Sequence, residues 1–424
     1  MNPSIEDRVV DFYQASSDFN GIPLLTLASD LHMPGEALTP RLKDHIEAGS
    51  VALVCGNRHP NPHIRALPDE AISDQLKHLS DGAFLARYPA ACLYPTEKVL
   101  TDRVDRGAYA LRPFTLLLAL GAPQLSHVSF DLSVLEFYRN DPRYDYYCDD
   151  VSGSITFKES LDDSPDTPDH DKVFLQTFGF SYDPEYRRAI AVLLRYLHDL
   201  SPEHQQIWNA KRLSGDFRLH PDYFRSAILG HVYEGISIFE AFLLEVSVIA
   251  CMSVDMGRTA LFRGVPERPR EFSFLLRPTQ RDFNEFVQLL DKMMSDNIDL
   301  DFFRNEVSLE REETLKDGRI RVIPKGSIQV MEEWFRAKFK PKDDPSVFED
   351  TFAAFREVRK LRSKPAHAVD DNVFDQAFFG RQRELMIRSY AAIRTIRQML
   401  SNHSATRSCE VPESLRSGEN IWSY

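Results

Sequence analysis

At 424 residues and 48.8 kDa the chain is too long for one ordinary domain, and its length points to about two to four. A content of 43% hydrophobic, 27% charged and 11% aromatic residues is globular, with ample core material. Lys and Arg number 51 against 64 Asp and Glu, a net charge of −13, which excludes a general polyanion binder and makes any nucleic-acid surface local.

Cys55, Cys92, Cys148, Cys251 and Cys409 lie far apart in sequence with no C-x-x-C pair. That excludes a C-x-x-C zinc ribbon and argues against a disulfide-stapled secreted fold. The opening MNPSIEDRVVDFYQ has neither the basic nor the apolar region of a secretion signal. The most apolar stretch, Ile236 to Met252, carries Glu240 and Glu245 and reads as a buried helix, not a membrane span. A cytosolic, multidomain α+β protein is expected.

Residues 1–68 form the first expected domain. Ser4 caps a helix with Ile5, Val9 and Phe12 on one face, broken at Asn20-Gly21. A second short helix follows, and a third starts at Thr39-Pro40 and closes at Gly49. Val51, Leu53 and Cys55 then alternate into a turn at 56–63, with an exit strand around Ile64. Three helices and a hairpin resemble a winged helix-turn-helix, with 39–48 as recognition helix and 56–63 as wing tip.

Residues 69–182 read as β-rich, with strands expected at Ala91–Tyr94, Thr115–Leu120, His127–Leu132, Ile155–Phe157 and Val173–Phe180. The acidic 160–172 reads as a solvated loop. Tyr138, Tyr144, Tyr146 and Tyr147, beside Arg139 and Arg143, read either as strand-and-turn packing or as a recognition surface. Residues 183–280 read as mainly helical, over Ala189–Leu200 and Pro221–Met252, with a Pro- and Arg-rich linker at 263–272.

Residues 281–402 read as a helical bundle interrupted by a hairpin at Asp317-Gly318. Phe348, Phe352, Phe355 and Leu361 make a stripe ending near Pro365, and Leu385, Ser389, Ala392, Ile396 and Met399 face one side of the last helix. Residues 403–424 read as a polar tail.

Charge is uneven along this chain. Residues 351–407 hold eleven Lys or Arg against five acids, a net +6 that reads as a phosphate-binding face or as exposed arginines paired with acids elsewhere. Within them, RKLRSKPAHAVDDNVFD (359–375) places Arg362 and His367 with four residues between them across the Pro365 break, and Asp370 and Asp371 close enough to orient an imidazole. Spacing alone is common: Arg58 to His63, Arg225 to His231 and Arg397 to His403 also fit R-x(4–6)-H.

The bundle with LRSKPAH at its helix junction resembles the HEPN superfamily, over roughly 281–402. Ser363 follows the arginine, where the family often has Asn. The resemblance implies a homodimer in which two R-x4-H motifs face each other, with Arg362 and His367 catalytic and no metal or cofactor needed. Many members are metal-independent ribonucleases, toxins or antiviral effectors. The chemistry fits: a His titrates near neutrality and moves protons, while Arg offers a charged fork to a phosphorane, and the product is a 2′,3′-cyclic phosphate. Arg359, Lys360 and Lys364 would then hold RNA. The alternative is that Arg362 and His367 are structural.

Other signals are weaker. His231 and Glu234 at i, i+3 have no second pair to complete a metal site, and neither a P-loop, a G-x-G-x-x-G nor a G-x-S-x-G motif occurs. Arg41, Lys43 and Arg58 lie where a winged helix would meet DNA, yet residues 1–68 sum to −3, which favours a protein-binding or architectural winged helix over a DNA reader. A non-enzymatic DNA-binding adaptor, dimerising through its bundle, is the second expectation.

Overall fold

A computed structural model describes all residues except 1–3, 163–167, 233–234, 264–267, 270, 316–317, 341–345, 364–370 and 424. The structure is mixed α/β with several sheets and divides into two compact units, Met1–Tyr233 and Glu234–Tyr424. Among the described residues no helix is long and apolar enough to cross a membrane.

The first unit starts with α1 (Ile5–Ala15), β1 (Ile22–Pro23), α2 (Leu24–Asp30), α3 (Gly35–Glu47) and β2 (Val51–Val54). The Ser4 side chain caps α1 through the Asp7 N–H, as its position predicts. After β2 come α4 (Ile72–Ser80), α5 (Phe84–Arg87) and β3 (Cys92–Pro95), and the small antiparallel sheet runs β1-β3-β2. The expected exit strand around Ile64 and the 56–63 wing are therefore corrected: β2 pairs with Cys92–Pro95, and residues 55–91 lie between the two paired strands. The central strand of a three-stranded sheet must be apolar on both faces. Cys92, Leu93 and Tyr94 are fully buried, whereas Ile64 is hemmed by Pro60, Pro62 and Pro68.

Next come α6 (Glu97–Arg103) and α7 (Pro113–Ala119), β4 (His127–Phe130), α8 (Glu136–Arg139), β5 (Tyr144–Cys148), β6 (Ser152–Phe157), α9 (Glu159–Asp162), β7 (Phe174–Tyr182), β8 (Arg188–Leu193), α10 (Leu194–His198), α11 (Pro202–Asn209), β9 (Arg218–Leu219) and α12 (Pro221–Ala227). The larger sheet is antiparallel in the order β4-β8-β7-β6-β5, with β9 added to β7. Thr115–Leu120, expected as a strand, is mostly helix α7, nucleated by Pro113 at its first position. Ala189–Leu200, expected as a helix, begins as β8, whose Ala189 to Leu193 are all buried as a central strand requires. Tyr138 and Tyr144 are buried, and the Tyr138 hydroxyl meets His204 Nδ1 at 2.7 Å and accepts from Trp208 Nε1 at 2.9 Å. Packing explains these two, while Tyr147 is exposed. Of the acidic stretch 160–172, residues 163–167 lie outside the described residues, whereas 160–162 belong to α9 and Asp169–Asp171 form a 3-10 turn.

The second unit comprises β10 (Ile236–Ser237), α13 (Ile238–Asp255), α14 (Gln280–Asp291), β11 (Glu310–Thr314), β12 (Ile320–Pro324), α15 (Ser327–Lys338), α16 (Ser346–Ser363), α17 (Ala377–Leu400), α18 (Glu413–Ser417) and β13 (Ile421–Trp422). One core joins α13, α14, α15, α16 and α17. The Phe348, Phe352 and Phe355 stripe of α16 is buried, as are Leu385, Ser389, Ala392, Ile396 and Met399 of α17. The hairpin forms in the register Glu310↔Pro324 to Thr314↔Ile320.

Two expectations change here. Phe272, placed in a linker by its Pro-rich surroundings, is fully buried and stacks on Phe286. The polar tail is ordered: β13 pairs in parallel with β10, and Leu415 is fully buried. A few apolar residues at irregular spacing anchor it without leaving a period. His231 lies outside any helix, and Glu234, the second residue of that pair, lies outside the described residues.

Candidate functional site

Helix α14 is capped by Thr279, whose hydroxyl accepts from the Asp282 N–H. It runs into a π-helical turn at Lys292–Asp296. In an ordinary α-helix, residues five apart point well away from each other; the widened turn brings Asp296 round towards Asp291. Both carboxylates meet the last turns of α16. Arg359 Nε lies 3.1 Å from Asp291 Oδ1 and its Nη2 2.7 Å from Asp296 Oδ1. Arg362 Nη1 lies 2.6 Å from Asp291 Oδ2 and 2.5 Å from Asp296 Oδ2. Asp291 is fully buried, while Arg362 keeps 31% of its side chain exposed. Burial opposes the charge of Asp296, but Arg359 and then Arg362 outweigh it and hold the carboxyl below its usual range. The bond to Asp291 raises the Arg362 guanidinium further still.

Beside this quartet is a cleft of about 1200 Å³ bordered by α14, the end of α16, residues 371–373 and α17. Phe283, Leu361, Phe378 and Leu385 supply its apolar wall. Arg281, Arg362, Arg381 and Arg388 supply cations, and Glu285, Glu357, Asp371 and Glu384 supply acids. Residues 371–375 are pinned to the start of α14. Gln280 N–H donates to the Val373 carbonyl at 2.8 Å, and Arg281 N–H donates to Asn372 Oδ1 at 2.9 Å. The segment 364–370, with Lys364, His367 and Asp370, lies outside the described residues, although Arg362 and Asp371 on either side of it both line the cleft.

Of the eleven basic residues of 351–407, five among those described pair with acids of this unit. Arg356 pairs with Glu332, Arg359 and Arg362 with the aspartates, Arg388 with Glu357, and Arg397 with Glu245. Lys360 is exposed.

In the first unit, Arg41 is exposed on α3, but Lys43 Nζ donates to Ser80 Oγ of α4 at 2.9 Å. Arg58 Nη1 donates to the Pro68 carbonyl at 2.8 Å, in a groove that also holds Asp69, Glu70, Asp74 and Asp81. The structure thus brings neither Lys43 nor Arg58 to an open basic face. Helix α4, which the sequence did not place, supplies Ser80 to Lys43 and Asp74 to the groove at Arg58.

Sequence reasoning also missed Asp291 and Asp296, whose five-residue spacing looks unpaired unless a π-turn is foreseen. It missed the approach of Cys251 to Cys409, which are separated by most of the second unit. No family model matches this chain, and neither the curated proteins nor the solved structures compared with it give a match.

Proposed function

We propose that the helical second unit is a HEPN-type, metal-independent endoribonuclease that works as a homodimer, an effector of the toxin or antiviral defence kind. The observation that carries this reading is the placement of Arg362. It sits at the last turn of α16 on the rim of a cleft that holds three further arginines, and the chain leading through His367 returns to that same rim at Asp371. Both ion pairs of Arg362 among the described residues run through Nη1, so the carboxylates fix the guanidinium without using its whole fork. In this reading His367 takes the 2′-hydroxyl proton, the second subunit's copy protonates the leaving 5′-oxygen, and Arg362 stabilises the phosphorane. Incubating the full chain with total RNA in EDTA tests it: cleavage with 2′,3′-cyclic phosphate ends, lost in His367→Ala, is expected. Cleavage that survives His367→Ala overturns the assignment.

A second reading, a non-enzymatic adaptor, is favoured by the neutral Arg359–Arg362–Asp291–Asp296 quartet, which is complete without a substrate. The order α1-β1-α2-α3-β2-β3 with sheet order β1-β3-β2 supports a winged helix carrying an insertion between its last two strands. DNA binding through it would be weakened by Arg41→Ala in a salt-dependent gel shift and untouched by His367→Ala.

A further inference from the structure

Far from the cleft residues in sequence, the second half of α13 meets the tail. Cys251 and Asp255 are i, i+4 on α13 and so share a face. The 3-10 turn Ser404–Ser408, packed on α13 by the buried Thr406, delivers Cys409 to the same place. The two Sγ atoms and an Asp255 carboxylate oxygen lie within 4.8 Å of one another. The turn is held there by Ser408 Oγ donating to Asp255 Oδ2 at 3.3 Å and by Ser401 Oγ against Met252 Sδ at 3.9 Å.

From this geometry we infer that Cys251, Asp255 and Cys409 form a binding site for a thiophilic divalent cation of the zinc class. Two sulfurs sharing a tetrahedral zinc at about 2.3 Å each stand about 3.8 Å apart, so ligand atoms already within 4.8 Å of one another are close to the spacing the ion requires. Cys251 and Asp255 are exposed, Asp255 accepting from Ser408 Oγ, and Cys409 is half-buried. Two thiols and one carboxylate select a borderline-soft ion over Mg²⁺ or Ca²⁺, and solvent supplies the fourth ligand. On binding, the ion takes two thiolates and one carboxylate, and the two thiol protons leave to solvent. The bound ion fastens the tail to α13. It is independent of the ribonuclease reading, whose chemistry uses no metal.

Cobalt(II) reports the site directly. Titrating the full reduced chain with Co²⁺ is expected to give a near-ultraviolet thiolate-to-cobalt band and visible bands of tetrahedral intensity at one ion per chain, displaced by Zn²⁺. Cys251→Ser and Cys409→Ser should each abolish the charge-transfer band, and Asp255→Asn should weaken binding about tenfold or more. Zn²⁺ should also slow amide exchange in residues 401–417, a change read without any enzyme activity. Absence of the band in the reduced wild-type chain overturns the proposal, as does a band that survives in the double cysteine variant. So does intact-mass detection of a Cys251–Cys409 disulfide in a chain that takes no cobalt after reduction.

Discussion

Arg362 Nη1 lies 2.6 Å from Oδ2 of Asp291, a carboxylate with no exposed surface. A buried carboxylate needs its cations, so this arginine is structural whatever else it does. Arg362→Ala leaves Arg359 as the remaining partner and should lower the stability of the second unit by about 1–3 kcal/mol in guanidinium unfolding. Loss of RNA cleavage in that variant would not by itself separate chemistry from folding. Arg362→Lys keeps a charge beside Asp291 but loses the planar fork. It should unfold close to wild type while cleavage falls about 100-fold or more, if the guanidinium meets the phosphorane. Unchanged cleavage in Arg362→Lys assigns the residue to packing alone.

Glu245 and Arg397 make the deepest ion pair among the described residues of the second unit. Arg397 Nε donates to Glu245 Oε2 at 2.6 Å, with 0% and 7% of the side chains exposed, and Arg397 Nη2 also donates to the Leu415 carbonyl at 3.1 Å. One guanidinium thus joins α13, α17 and the tail. Arg397→Met strands a buried carboxylate, which costs about 3–5 kcal/mol. Burial already pushes the Glu245 carboxyl upward against the pull of Arg397, so in that variant it should rise further. The double variant Glu245→Leu with Arg397→Met should recover most of the loss in a double-mutant cycle; a double variant as unstable as Arg397→Met contradicts the account.

These cases show what was legible beforehand. Apolar periodicity located α16 and α17, because a stripe such as Phe348, Phe352 and Phe355 has one way to be buried. It also marked α13 as a core helix, where Glu245 argued against a membrane span and turned out to have a buried partner. Local signals failed where a distant segment decided the outcome. Val51–Val54 invited a hairpin with the nearest apolar residue, Ile64, yet the pairing strand came from beyond α4 and α5. Thr115 is β-branched, but Pro113 and the leucines after it favour a helix turn. At the site, Arg362 was legible as a residue at a helix junction. Its carboxylate partners were not, since a π-turn leaves no mark in residue spacing.

Part of the acid sensitivity of the second unit should trace to Glu306, along with the depressed Asp296. Its carboxylate accepts from Trp334 Nε1 at 2.8 Å, lies 3.0 Å from Lys338 Nζ and pairs with Arg258. Burial works against the charge, but the bonds from Arg258, Trp334 and Lys338 outweigh it and hold the carboxyl down at about 2, against an ordinary 4.5. A carboxyl depressed on folding contributes stability that is complete above its unfolded value and lost as pH falls towards the folded one. The wild-type chain should therefore lose stability between about pH 5 and pH 2, and Glu306→Gln should flatten that part of the profile while lowering stability at neutral pH. A Glu306→Gln profile parallel to wild type across the window would place the sensitivity elsewhere.

In the first unit the tightest approach is at Gly179 of β7, between its partners Ser152 of β6 and Ala191 of β8. A Cβ there would stand 2.2 Å from Cγ of the Tyr223 ring, which is 1% exposed and packs from α12. Contact that close is repulsive, and the obstacle is the ring's attached carbon, not a mobile tip. Either the strand or α12 must move. Gly179→Ala should cost about 2–4 kcal/mol in chemical unfolding, more than the gain from removing a flexible residue in the unfolded chain. Tyr223→Ala alone removes the ring and leaves a cavity, costing about 3–5 kcal/mol, so the two losses should not add. Combining them should cost less than their sum, because the alanine methyl then enters the space the ring vacated. Strict additivity in urea denaturation would show that the glycine is not there to admit the ring.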